Sequence, residues 1–211
     1  MKASYSLGET VEMGIDEAGR GCFWGPIVAG AVIWPPEEEW TDEHREVTPF
    51  IRDSKRTTKS ARPHIAAAIK ALAVDWGIGF VTAEEINENG MTWANQEAFR
   101  RAIGACYTGL EPELLLIDGV LGLPDLVSQT AVRYECIPGG DGLYVPIAAA
   151  SILAKHGRDS WVSEWSKENP VTAGRYDLLS NMGYGTVNHR EGLKSWGAHE
   201  LHRTLFIRNW L

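Results

Sequence analysis

Five apolar runs of strand length, separated by glycine turns or by stretches with helical spacing, leave this chain few folds other than a sheet covered by helices. The runs are TVEMGID, IVAGAVIW, WGIGFVTA, LLLIDG and TAVRYECIP. A glycine-rich turn joins the first two. Helical spacing appears in SARPHIAAAIKALAVD, AEEINENG, TWANQEAFRRAIGACYTG and VPIAAASILAKHGRDSWVSEW. Ser60 is expected to cap the first of these, Gly90 to end the second and Pro146 to lie near the start of the last. The expected class is α/β. With 211 residues, 44% of them hydrophobic, the chain can bury one sizeable core. We therefore read 1–211 as a single domain, with residues from about 169 onward a loop-and-helix appendage of the same unit.

The ends of these strands carry acids. Asp16, Glu17 and Asp118 stand at carboxyl ends, where open α/β sheets place their sites, and Asp159 lies on the long helix after the fifth strand. Four carboxylates brought together repel, and burial raises their pKa values further. Divalent cations relieve both costs, and an all-oxygen ligand set selects Mg2+ or Mn2+ over zinc. Two such ions about 3.5–4 Å apart stabilise the attacking and leaving oxygens of a phosphoryl transfer. Each acid also has an ordinary reading. Asp118 before Gly119 suits a turn, and Asp159 can pair with Lys155 one helical turn earlier. Adjacent strand residues face opposite sides. Asp16 and Glu17 are thus expected to share a site only if the strand bends or ends at Glu17, which Ala18 and Gly19 would allow.

A net charge of −8 speaks against a nucleic-acid partner, but its distribution does not. PPEEEWTDEHRE, over 35–46, holds six acids and one arginine, whereas IRDSKRTTKSAR, over 51–62, holds five basic residues and one acid. Within a Debye length of about 8 Å the local field dominates. A basic patch for a phosphate backbone and a merely solvated surface both fit. Cys22, Cys106 and Cys136, with no C-x-x-C pair, fit a reduced, cytoplasmic setting. No signal segment is seen, and no apolar run reaches the roughly 18 residues of a membrane helix, so no membrane partner is expected. The nine tryptophans are expected in packing, with Trp24 the one near enough to the first glycine loop to stack on a base. His189 and His202 read as structural.

Taken in order, the motifs resemble the bacterial-type ribonuclease HII family, the type 2 ribonucleases H, nearly end to end. They are GIDEAGRG with GP after it, DSK at 53–55, IDG at 117–119, GD at 140–141, IAAASILAK followed by RD, GYGT followed by His189, then HR at 202–203 and a phenylalanine. The resemblance implies a ribonuclease H-like mixed five-stranded sheet flanked by helices, with a small helical C-terminal part. It implies cleavage of the RNA strand of RNA–DNA hybrids and incision 5′ of single ribonucleotides in duplex DNA, leaving 5′-phosphate and 3′-hydroxyl ends.

The family's four catalytic, metal-binding acids fall on Asp16, Glu17, Asp118 and Asp159. Two Mg2+ or Mn2+ ions are expected, with Asp16 shared between them. Gly19, Arg20 and Gly21 take the place of the loop that contacts the ribose 2′-OH, the feature that separates RNA from DNA. Tyr184 takes the place of a tyrosine that packs on the next deoxyribose. Lys155 and Ser151, one and two turns before Asp159, and Lys55 complete the expected substrate-binding set, the lysines as phosphate contacts. The expected partner is a hybrid or a ribonucleotide-containing duplex, bound by a monomer. Gly139 and Met182 depart from the family, standing where lysines are frequent, and the acidic stretch over 35–46 lies outside its pattern. The alternative from another class, a relative that binds hybrids without cutting, leaves so costly a group of acids without a purpose.

Overall fold

The computed structural model describes residues 1–6, 10–52, 57–106, 109–125 and 132–211. Its sheet has five strands, β1 (Glu12–Ala18), β2 (Ile27–Ile33), β3 (Asp75–Val81), β4 (Leu114–Asp118) and β5 (Arg133–Ile137), in the order β3-β2-β1-β4-β5. The first three pair antiparallel, and β4 and β5 join parallel to β1. The sheet is mixed, as the resemblance implies. Every residue of β2 is buried, and only one of β1 is not. Runs this apolar belong between two helical layers.

The helices are α1 (Asp42–Val47), α2 (Arg62–Leu72), α3 (Ala83–Asn89), α4 (Met91–Gly104), α5 (Val145–Glu168), α6 (Pro170–Arg175), α7 (Leu178–Asn181), α8 (Val187–Trp196) and α9 (Thr204–Ile207). The acidic stretch folds into a single 3-10 turn and α1, whose first turn Thr41 caps. Ser60 does not cap α2. That helix starts at Arg62 with Pro63 in its first turn, and Thr58 Oγ1 accepts instead, from the Ala61 N–H at 3.2 Å. Gly90 ends α3 at a φ of 82°, and Pro146 sits in the first turn of α5.

One face of the sheet packs Met13, Ile15, Ala29 and Ile117 against Ala98, Phe99 and Ala102 of α4. The other lies under α5, whose Ala148, Ala149, Ile152 and Leu153 cover Val32. Here the backbones touch. A Cβ on Gly14 would overlap the peptide between Pro146 and Ile147, and one on Gly30 would overlap the Ala150 carbonyl. A third cluster joins the second half of α5 to the C-terminal helices and to the loop after β1, through Trp24, Val162, Tyr176, Leu193 and Ile207. Trp24 is fully buried, edge-on to Trp165 at 4.9 Å and to His202 at 4.7 Å. It is a packing residue that no base can reach.

Two buried histidines complete that cluster. The His199 N–H donates to His202 Nδ1 (2.9 Å), which leaves the proton of His202 on Nε2. Nε2 lies 3.0 Å from His189 Nε2, and His189 Nδ1 lies 3.1 Å from the Tyr184 carbonyl, to which it donates. Both rings are therefore neutral, and the relay fixes the backbone of Tyr184. Burial pushes His189 down to about 4, and burial together with the neighbouring His189 pushes His202 down to about 3.

Two outcomes are expected. Gly14→Ala forces α5 off the sheet, so its Tm falls, with a loss on the order of 1–3 kcal/mol in denaturant unfolding. The histidines titrate near 6.5 once unfolded, so the unfolded chain takes up protons first as pH falls. The pair's contribution to stability is whole above about pH 6.5 and is lost progressively toward pH 4. Denaturant titrations at pH 7 and pH 5 should differ by on the order of 4 kcal/mol, about 2 for each ring, and His202→Gln should remove about half of that difference. An unchanged slope in the variant would refute the assignment.

Candidate active site

The chain does not break at Glu17. Pairing with β2 continues through Glu17 opposite Ala29 and Ala18 opposite Val28, so Asp16 and Glu17 face opposite sides of an intact strand. Asp16 lies on the α5 side, where Ser151 bonds its carboxylate, and Glu17 on the α4 side near the Asn95 amide. Both acids nevertheless line one cavity of about 270 Å³. Pairing of β1 with β4 stops at Ile15 opposite Ile117, so the sheet ends there on that side and the cavity opens past its rim. A bend is unnecessary because the site straddles the end of the sheet.

Asp118, at the end of β4, lines the same cavity. So does Asp141, from the turn Gly140–Gly142 that follows β5, with its N–H 3.4 Å from Asp118 Oδ1. The negative charges act on one another. Burial, then Glu17, then Asp118 hold Asp16 well above the usual carboxylate range, against hydrogen bonds from Ser151 and from the Glu17 N–H. Burial raises Glu17 as well, with Asp118 adding and Asn95 and Arg20 opposing. Arg20 is a weak counterion, 3.9 Å away and largely exposed. Among the described residues neither Asp16 nor Asp118 forms an ion pair, and no three His, Cys, Asp or Glu side chains converge closely enough to grip an ion at once.

Asp159 stands elsewhere. It accepts from Lys155 Nζ at 2.8 Å and from Arg62 Nη1 at 3.0 Å, and it does not line the carboxylate cavity. The ordinary reading of Asp159, as partner to Lys155, is the one the geometry follows. In its place the structure offers Asp141. That residue sits just past the carboxyl end of β5, so the rule that picked out Asp118 applies to it equally. Arg62 was also missed. It is buried at the N-terminus of α2, where the helix dipole disfavours a cation, and it lines the cavity beside Lys155. A lone arginine in that position calls for a partner from outside its helix, here Asp159.

The rest of the wall is formed by residues expected to contact substrate. Gly19, Arg20, Gly21 and Tyr184 line the cavity, as do Ser151 and Lys155. Gly19 has a φ of +87°, and a Cβ there would run into the Arg158 side chain. Tyr184 is 40% exposed, with Lys155 Nζ 5.4 Å from its ring centre. Burial pushes its phenol up to about 12, so the hydroxyl stays protonated. Met182, where a lysine was the family's habit, is buried in the C-terminal cluster. Lys55 lies outside the described residues.

Comparison with known proteins agrees with the motifs. The family model for ribonuclease HII matches residues 13–209. A ribonuclease HII of Trichormus variabilis is 39% identical over 195 residues, covering 92% of this chain and 80% of that one. One of Chlorobium luteolum is 38% identical over 193 residues, covering 92% and 86%. The ribonuclease H2 of Pyrococcus horikoshii superposes with a TM-score of 0.73 over 94% of this chain and 96% of that one; at 22% identity it speaks for the fold. A chain matched by the family model from β1 to the C-terminal helices, and sharing more than a third of its residues with such relatives, belongs to the ribonuclease HII family of RNA–DNA hybrid endonucleases and is a metal-dependent hydrolase.

Proposed function

We propose that this chain cuts the RNA strand of RNA–DNA hybrids and incises 5′ of single ribonucleotides embedded in duplex DNA, leaving 5′-phosphate and 3′-hydroxyl ends. The observation that carries this reading is that four carboxylates and the 19–21 glycine loop line one cavity. The acids suit the ions that a cut needs, and the loop suits a sugar. In this reading the protein works as a monomer in the cytoplasm.

Asp16, Glu17, Asp118 and Asp141 would hold two divalent cations. Their donor set is all oxygen, which fits Mg2+ or Mn2+. The raised carboxyl of Asp16 reflects burial first and then the charges of Glu17 and Asp118, costs that a cation would offset. Such ions supply a water activated for in-line attack and offset charge on the leaving 3′-oxygen. Ser151 holds the Asp16 carboxylate in place. Arg62 and Lys155 bring positive charge to the rim for the phosphates, and Asp159 keeps both extended toward it. Tyr184 offers its exposed ring to the sugar beyond the cut.

The two carboxylates Asp141 and Asp159 separate cleanly under substitution. Asp141→Asn should lower kcat by about 100-fold or more on a duplex with one ribonucleotide, as loss of a group acting on transition-state charge does. Asp159→Asn should cost about tenfold, mainly in KM. The reverse order would return the ligand role to Asp159. A folded wild-type sample that cuts neither substrate with Mg2+ or Mn2+ would refute the proposed activity.

Asp16 yields a stability test. A carboxyl whose pKa is raised by folding opposes the folded state once pH passes its unfolded value near 3.9, and the cost grows until pH passes the folded value. Asp16→Asn should therefore raise the Tm of the metal-free protein while abolishing cleavage. Mn2+ at 100 times its Kd should stabilise the wild type by about 2.7 kcal/mol and the variant far less. A variant that melts lower than wild type without metal would contradict this.

A further inference from the structure

Two arginines are wholly buried beneath the glycine loop, and neither has a carboxylate partner among the described residues. Arg203 gives Nη1 to the carbonyls of Gly19 (2.6 Å) and Arg20 (3.1 Å) and Nε to that of Gly25 (2.9 Å). Its own N–H donates to the Phe23 carbonyl at 2.8 Å, and the Gly25 N–H donates to the Leu201 carbonyl at 2.9 Å. The segment 201–203 thus lies under the whole loop. Arg158 holds the far end, donating to the carbonyls of Pro26, Trp24 and Met182 at 3.1, 2.9 and 2.7 Å. It thereby joins the loop to the turn that carries Tyr184.

The direction of these bonds matters. In a trans peptide the carbonyl and the following N–H point in opposite directions. With the Gly19 and Arg20 carbonyls drawn down to Nη1, the N–H groups of Arg20 and Gly21 turn away from Arg203. Among the described residues no backbone acceptor takes either N–H, and both residues line the cavity. Arg203 Nη2, by contrast, is buried without any hydrogen-bond partner. A buried charge with an unmet donor costs stability.

We propose that Arg203 is the positioning residue for ribose recognition. Its fork fixes two successive peptide planes so that the N–H groups of Arg20 and Gly21 face the cavity as a pair, poised to donate to the ribose 2′-oxygen. The proposal rests on the reading of the 19–21 loop as the sugar contact. Lysine cannot replace the arginine, since a mobile ammonium does not reproduce the rigid fork.

The test compares wild type, Arg203→Lys and Arg203→Met with Mn2+. Steady-state incision is measured on a duplex holding one ribonucleotide, with binding of the all-DNA duplex of the same sequence and the Mn2+-induced Tm shift as controls. Arg203→Lys should lose about 30-fold or more in kcat/KM, the effect of misplacing two hydrogen-bond donors to substrate, while both controls stay within about twofold. Arg203→Met should fold, since it removes a buried charge lacking a carboxylate, and should lose at least as much incision. Incision by both variants at the wild-type rate overturns the proposal. So does a loss shared in proportion by DNA binding and the Mn2+ shift, which marks a general structural role. Failure of the wild type to incise would instead overturn the sugar-contact reading itself.

Discussion

The site depends on how closely α5 lies against β1 and β2. Gly14 and Gly30 carry no Cβ, so the helix backbone rests on the strand backbone. That contact places three successive layers of function. Ser151 reaches Asp16, Lys155 reaches the cavity rim, and Arg158 reaches the loop beyond the end of the strand. A helix one methyl group further away would carry all three out of register. The alanines after Ile147 belong to the same device, since larger side chains there would lift the helix as surely as a Cβ on the strands.

Charge supplies the second constraint. Burial and the neighbouring acids raise the proton affinity of Asp16 and Glu17, while the nearby cations have partners of their own: Arg20 has Glu17, Arg62 and Lys155 have Asp159, and Arg158 and Arg203 have backbone carbonyls. Positive charge thus stands at the rim of the cavity, and among the described residues none of it pairs with Asp16 or Asp118. Asp159 contributes by holding Arg62 and Lys155 at the rim of that cavity.

Much of this was legible in the sequence. Strand runs ending in acids gave the sheet and three of the cavity's carboxylates, because apolar period and strand-end position are local properties of the chain. Asp159 and Asp141 were not separable in that way. Both stand in motifs after β5, and local spacing allowed Asp159 either role; packing shows that it pairs with Lys155 while a glycine turn brings Asp141 over Asp118. The bend expected at Glu17 followed from strand geometry, but it assumed a site on one face. Where a neighbouring strand ends is a tertiary fact. Arg203 was visible as part of a motif and silent as to role, since its partners lie more than 170 positions earlier.

The unbroken strand has a consequence for how the site is tuned. Asp16 belongs to the layer under α5 and Glu17 to the layer under α4, so the separation of the two acids is fixed by the width of a single pleated backbone. Each helical layer steadies one jaw of a vice whose spindle is β1. A shift of either layer, even from the far side of its core, opens or skews the jaws. Carboxylate spacing is in this sense a mechanical property of the whole sandwich, read out at its edge.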